Sequence, residues 1–422
     1  MLIYLTQQQE PKVTAYVSGE PKMVNTFKEG RDIYATIGSI AFNVPYEDCL
    51  EFHPVTHEYQ PEGKLRRTRS KPMVLGINYG MEAKALGEKI FGDDDSISEE
   101  EKTAQAKKVF DAVMTGFPVL KKAIADCRAR TKQIGYTETI LGRRRHLPNI
   151  QLPIYEFKPE KGYINPDVNP MDVDTLEDIN EIPQRIKDTL YKELTSYKYM
   201  GQVYKRIRQL SEEEHIKVFN NTSKIAEAER EAWNATIQGS AAELTKMAML
   251  RLETDPEWVE IGGRLILPVH DELIVEVPFE HREKGAEILK RSMEQAGNFL
   301  PFTISCDIEM TFRWYGLEVD DILSFAKPEN LDFDNMSESN VKWLQSRLFE
   351  QGYVFPVIKN PDGSKPIGIA AKGINGVVTD ELKAATLAYR SLYDLKSDEQ
   401  LIKHIDVLVT TGKCLTLEEL SS

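Results

Sequence analysis

The chain has 422 residues, long enough for about two or three domains and a sizeable buried core. Its four cysteines, Cys49, Cys127, Cys306 and Cys414, stand far apart with no CxxC pair and no His at zinc-ligand spacing, which argues against a disulfide framework or a zinc site and reads as a reducing, cytoplasmic protein. A formal charge of -14 argues against nucleic acid only as a total, because the basic residues gather in KLRRTRSK (64–71) and GRRRH (142–146) while acids concentrate in 165–181 and near the C-terminus. That segregation leaves room for a basic channel on an acidic body, a solvated surface being the alternative for each basic run. No apolar run approaches the roughly 20 residues that span a bilayer, and MLIYLTQQQEP has no basic n-region or cleavage site, so neither secretion nor a membrane is expected.

In chain order, residues 13–45 show helical spacing broken at Ser18-Gly19-Glu20-Pro21 and Glu29-Gly30-Arg31, which predicts short helices. A polar stretch at 51–63 leads to a predicted helix over 65–91, with Met73, Val74, Ile77, Met81, Leu86 and Ile90 at helical spacing. Residues 105–134 read as helix and GYTETILGRRRHLP (135–148) as turn and strand. The Pro-, Asn- and Asp-rich segment 149–185 reads as a loop or partly disordered insertion. Helical pattern returns over 185–217 and 226–252. RLILPVHDELIVEVP (264–278) then places two β-branched apolar runs on either side of His270-Asp271-Glu272, the pattern of a strand pair meeting at acids. An amphipathic helix is expected over 280–299 and a last strand in TISCDIEMTFRWYG (303–316).

Two constellations carry chemistry. Arg67, Lys71, Leu75 and Tyr79 recur every four residues and would line one stripe of a helix, two cations and a phenol suited to a triphosphate and a base. The plainer alternative is a solvated basic turn with a core tyrosine. In VHDEL, a tight turn would hold Asp271 and Glu272 at the edge of a sheet, hard oxygen donors of the kind Mg²⁺ takes alongside phosphate oxygens. Taken alone, an HDE triplet is an ordinary surface turn.

RRTRSKPMVLGINYG (66–80) resembles the fingers helix of A-family DNA polymerases. The resemblance implies that Arg67 and Lys71 bind the triphosphate, that Lys71 donates a proton to pyrophosphate, and that Tyr79 and Gly80 lie beside the templating base. Leu75 sits where the family has an aromatic, so sugar discrimination learned from that aromatic does not carry over. Pro72 inside the segment suggests that the helix proper begins there, which would take Arg67 off the stripe. VHDEL resembles motif C, which implies His270 as a primer-end contact, Asp271 as a metal ligand for one of two Mg²⁺ ions, and Glu272 as the less essential catalytic acid. GYTETILGRRRHLP and AEREAWNATIQGSAAELTKMAM (228–249) resemble two further family segments. They imply that Arg143, Arg144 and Arg145 meet backbone phosphates and that Asn234 and Gln238 reach the minor groove. An Ala-rich packing helix is the alternative for the last segment.

QQQEPKVTAYVSGEPKMVNTFKEGRDIY (7–34) is similar to the region from motif A onward, in a form common among phage-type members. Glu10 then falls on the glutamate that excludes a ribose 2'-hydroxyl and bonds Tyr79, and Tyr34 falls where many members have His. The motif A aspartate is missing, since alignment from Glu10 puts Leu5 in its place. The implied fold is α+β, a palm with an antiparallel sheet plus mainly helical fingers. The expected division is 1–60 palm, 61–225 fingers with the insertion at about 149–225, 226–322 palm, and a helical extension at 323–422. The implied partners are primer-template DNA, dNTPs, and an N-terminal polymerase fragment supplying the aspartate, as in a split enzyme of a phage-infected bacterium. An inactive DNA-binding remnant and a single-subunit RNA polymerase stay open as alternatives. In the extension, NVKWLQSRLFEQGY (340–353) and GINGVVTDELKAATLAYR (373–390) weakly resemble peptidoglycan-binding-like helical modules, and a small helical docking module is the preferred reading.

Overall fold

The computed structural model describes residues 2–6, 9–79, 81, 83–92, 97–169, 179–313, 316–359, 366 and 368–421. By compactness the chain divides into two units, residues 10–240 and residues 1–9 with 241–422.

After β1 (Leu2–Thr6) the chain turns helical, with α1 (Gln9–Ser18), α2 (Pro21–Lys28) and α3 (Ile33–Phe42) where short helices are predicted. The breaks between them are chemical. Asp32 caps α3 by accepting from the Ala35 amide at 2.9 Å. Glu20, only 2% exposed, accepts from the Lys22 amide at the start of α2 and from the amides of Val119 and Leu120 at 2.9 and 3.2 Å. One buried carboxylate thus serves two helix N-termini, because each presents free amides and the positive end of its dipole.

The single helix expected over 65–91 is two, α4 (Pro61–Tyr79) and α5 (Ala83–Phe91). Pro72 lies inside α4 and does not start it, so the helix tolerates one missing ladder donor and Arg67 stays on it. The helix expected over 105–134 also divides, into α6 (Glu99–Gly116) and α7 (Pro118–Ile134). Pro118 opens α7 and holds Phe117 out of helical geometry, while a Ser98–Glu101 capping box fixes the start of α6.

A hairpin follows, β2 (Tyr136–Glu138) against β3 (Arg144–His146), as expected. The loop expected at 149–185 is corrected in part. It contains β4 (Tyr155–Pro159), which pairs antiparallel with β5 (Ile216–Asn220) and brackets α8 (Gln184–Ser196) and α9 (Met200–Glu212). The helical pattern expected over 185–217 is therefore two helices, with the strand β5 at its end. Phe157 and Val218 on the strands pack against buried Leu190, Leu194, Val203 and Leu210, so the insertion has a core of its own. Residues 170–178 lie outside the described residues. The long α10 (Thr222–Glu253) follows, its part up to Ser240 belonging to this unit.

In the other unit, β6 (Arg264–Val269), β7 (Glu272–Glu276) and β8 (Cys306–Met310) join β1 in a four-stranded antiparallel sheet in the order β6-β7-β1-β8, accompanied by the helices α11 (Pro256–Glu260) and α12 (Arg282–Ala296). The strand β1 was not expected. On β7, Leu273, Ile274 and Val275 are all buried, the pattern of a strand covered on both faces. Ile288, Leu289 and Met293 of α12 pack with Leu273, Val275 and Trp258.

The extension is helical, with α13 (Val319–Ser324), α14 (Glu338–Glu350), α15 (Asp380–Leu392), α16 (Asp398–Thr411) and α17 (Leu417–Ser421). Trp343, Leu344, Tyr389, Leu401 and Ile405 form its core. Arg347, 3% exposed, donates to the Ile322 carbonyl at 2.7 Å and meets Asp406 at 3.3 Å, while burial pulls its guanidinium down to about 10. The fold class is α+β, as the sequence implies. No described helix is long and apolar enough to cross a membrane.

Candidate functional site

The hairpin β6–β7 closes through two residues, because Val269 pairs with Glu272 and leaves His270 and Asp271 as the loop. Such a short loop needs positive φ at its first position, and His270 supplies it at 56°, a conformation glycine adopts more readily. Strain of this kind costs on the order of 1–3 kcal/mol and persists only where surrounding structure enforces it. The consequence is a fixed carboxylate pair at the end of the sheet. Burial, then the charges of Asp271 and Glu309, push the Glu272 carboxyl above its usual range, with His270 opposing. Mutually repelling hard-oxygen donors suit a divalent cation of the Mg²⁺ class.

The sheet register places a further residue beside them. Leu5 on β1 is the partner of Glu272 on β7 and of Asp307 on β8. An apolar residue thus takes the position between two acids in one row. Among the described residues no group of three or more His, Cys, Asp or Glu is gathered closely enough to hold a metal.

In the unit 10–240, α4 presents Arg67 and Lys71 one turn apart. Both stand over the Tyr34 ring, with the Arg67 guanidinium 5.7 Å and the Lys71 ammonium 5.9 Å from its centroid. Arg67 also donates twice to one oxygen of Asp32, at 2.7 and 3.0 Å. The sequence reading missed Asp32, whose only local signal is its place as the cap before Ile33. Lys71 is exposed and Glu10 is half-buried in the first turn of α1. The side chains of Leu75 and Tyr79, and the whole of Gly80, lie outside the described residues.

The five remaining positions come together. Arg143, Arg144, Arg145, Asn234 and Gln238 line one cleft of about 390 Å³ within this unit. Asn234 donates to Gln238 at 3.2 Å, one turn along α10. Three contacts clamp the β2–β3 hairpin onto this helix: Thr137 Oγ1 to Thr236 Oγ1 at 2.7 Å, the Ile140 amide to Ser240 Oγ at 2.9 Å, and Arg143 Nη2 to the Gly239 carbonyl at 3.1 Å. Gly239 makes the approach possible, because a Cβ there would stand 2.6 Å from Thr139 Cγ2. Arg144 lies over the Tyr136 ring at 4.7 Å and pairs with Glu138, which also holds Arg130. Arg145 is exposed. A cleft floored by amides and rimmed by guanidinium groups can take a phosphate backbone and the edges of bases.

The chain is similar to several known proteins. The chain is 26% identical over 311 residues to the thermostable DNA polymerase I of Thermus aquaticus, covering 74% of this chain and 26% of that protein. It is 27% identical over 305 residues to DNA polymerase I of Mycobacterium leprae, covering 72% of this chain and 23% of that one. The chain thus spans about a quarter of the length of the curated relatives it matches. Among solved structures, the POL domain of Pol1 from M. smegmatis in complex with DNA primer-template and dNTP matches with a TM-score of 0.47 and 23% identity, over 73% of this chain and 38% of that one. The description of DNA polymerase family A matches residues 6–161 and 177–316, most of the chain. The chain belongs to DNA polymerase family A.

Proposed function

We propose that this chain takes part in template-directed addition of deoxynucleotides to a primer 3' end. The observation that supports the reading most is the single cleft in which Arg143, Arg144, Arg145, Asn234 and Gln238 converge, groups contributed by a hairpin and by a helix some ninety positions later in the chain. The three arginines hold backbone phosphates, and the two amides meet base edges near the primer terminus. Arg67 and Lys71 hold the triphosphate, Lys71 gives a proton to the departing pyrophosphate, and Tyr79 with Gly80 borders the templating base. Glu10 excludes a ribose.

Asp271 and Glu272 would hold Mg²⁺, with His270 against the primer end. Two Mg²⁺ ions, if bound, would supply stabilisation of the charge that develops in phosphoryl transfer. Such a pair needs a second bridging carboxylate, and the row that should carry it has Leu5 between Glu272 and Asp307. The reading therefore includes a separate polypeptide, an N-terminal polymerase fragment, as the source of that acid.

Primer extension tests this. This chain alone, given primer-template, dNTPs and Mg²⁺, should add no nucleotide. Adding a family fragment that ends in the missing aspartate should restore extension, and Asp271→Ala should abolish it again. Robust extension by the chain alone would sink the shared-site reading. No extension by the complemented pair would leave a DNA-binding remnant, and a preference for NTPs over dNTPs would indicate an RNA polymerase.

A further inference from the structure

The inserted module between β3 and α10 carries a surface that none of these roles uses. Its helix α9 buries Val203 and Leu210 in the module's core and turns Met200, Gly201, Tyr204, Lys205 and Arg208 outward. Tyr199 just before the helix is 64% exposed, Tyr204 60% and Met200 47%. Three large apolar side chains exposed beside one another make a patch rather than scattered single residues, and such a patch marks a binding surface.

Between Thr195 and Ser211 the charge is of one sign. No Asp or Glu occurs anywhere from 195 to 211, while Lys198, Lys205, Arg206 and Arg208 do. At the ends of this stretch Arg206 holds Glu193 and Glu214, both at 2.8 Å, and Glu212 and Glu213 stand exposed beyond it. Lys198, Lys205 and Arg208 are exposed. Lys198 rides 5.6 Å above the Tyr199 ring, which keeps a cation beside an aromatic face. From Met200 to Arg208 the helix rises about 12 Å, the length of about three stacked nucleotides.

We propose that this face binds single-stranded DNA, with bases stacked on Tyr199 and Tyr204 and phosphates on Lys198, Lys205 and Arg208. Interleaved aromatics and cations are the chemistry that holds a single strand without reading its sequence. An acidic protein would use the cations but leave two exposed rings without a role. The inference rests on the polymerase reading for its choice of DNA over RNA, and it places an additional hold on unpaired template outside the Arg143–Gln238 cleft.

The test is fluorescence anisotropy with the full chain and two labelled DNAs, a primer-template with a long single-stranded overhang and the same duplex blunt-ended. Two variants are compared, Tyr199→Ala/Tyr204→Ala and Lys198→Glu/Lys205→Glu/Arg208→Glu, with circular dichroism to show that each is folded. The wild type should bind the overhang DNA more tightly than the blunt duplex. The tyrosine variant should lose about tenfold or more on the overhang DNA and nothing on the blunt duplex. The charge variant should lower the slope of log affinity against log salt by about 2 on the overhang DNA, at about 0.7 for each single-strand phosphate that is no longer neutralised. Equal overhang binding by wild type and both variants overturns this inference and leaves the polymerase reading standing. If the wild type binds neither DNA, both fail. Weakened binding in the charge variant alone, with the tyrosine variant unchanged, also overturns it, because the surface would then read charge without stacking.

Discussion

Replacing Gly239 by alanine tests the clamp that places the arginines. The new Cβ would stand 2.6 Å from Thr139 Cγ2 and 3.3 Å from Arg143 Nη2. Carbon atoms prefer about 3.5–4.0 Å, so roughly 1 Å must open between hairpin and helix. Thr139 cannot turn away easily. Its β-branched side chain is stiff, and its Oγ1 accepts from the Arg143 amide at 3.0 Å. Overpacking of this kind costs about 1–3 kcal/mol, while alanine in a helix interior gains about 1 kcal/mol over glycine. The expected net is a destabilisation of about 1 kcal/mol, concentrated at the hairpin. Hydrogen exchange reads it directly, because the Ile140 amide is held by Ser240 Oγ at 2.9 Å and should lose protection. Primer-template affinity should fall severalfold as Arg143 leaves the Gly239 carbonyl. As a control, Gly201→Ala on α9, where a Cβ meets nothing within 4 Å, should leave Ile140 protection unchanged. Unchanged or increased Ile140 protection in Gly239→Ala would refute the close approach and the argument built on it.

Glu272 makes a pH prediction. Its carboxyl titrates above the usual range because burial and the Asp271 charge disfavour ionisation, so its favourable contribution is present below the unfolded pKa and is lost as pH rises through the folded one. Glu272→Gln should therefore raise the melting temperature at pH 7, with the difference fading as pH falls through the ordinary carboxylate range, and added Mg²⁺ should raise wild-type melting more than that of the variant. At Asp32, alanine removes both the cap on α3 and the pair with Arg67, whereas asparagine keeps the cap; urea unfolding should find the alanine variant about 1 kcal/mol less stable than the asparagine one. Asp406→Ala would leave Arg347 charged and 3% exposed, so denaturation should show a destabilisation of about 3 kcal/mol, part of it recovered when Arg347→Met is added. Equal stability of Asp406→Ala and wild type would mean that the Ile322 carbonyl and the Ser346 hydroxyl suffice for the guanidinium.

Much of the architecture is local and can be read from the chain. Helices α1 to α3 follow from periodicity and from glycine and cap residues between them, and the strands around His270-Asp271 follow from β-branched runs flanking a short polar turn. The α+β class and the family both show in motif order, because each motif is a short segment whose residues are neighbours in sequence.

What the sequence left undetermined is non-local. The strand β1 is five residues long and has no periodicity to announce it; only pairing with β7 and β8 makes it part of the sheet and brings Leu5 between Glu272 and Asp307. The strands β4 and β5 lie on either side of two helices, so the segment that reads as a loop becomes a module only when Phe157 and Val218 find Leu190 and Leu210. Arg67 reads as a free triphosphate ligand until α3 and α4 pack and Asp32, 35 positions away, takes two of its hydrogen bonds. Local composition determined which residues can carry charge, coordinate a cation or stack on a base. Tertiary packing decided which of them meet, because contacts between distant segments depend on loop closure and shape that no short window of sequence contains.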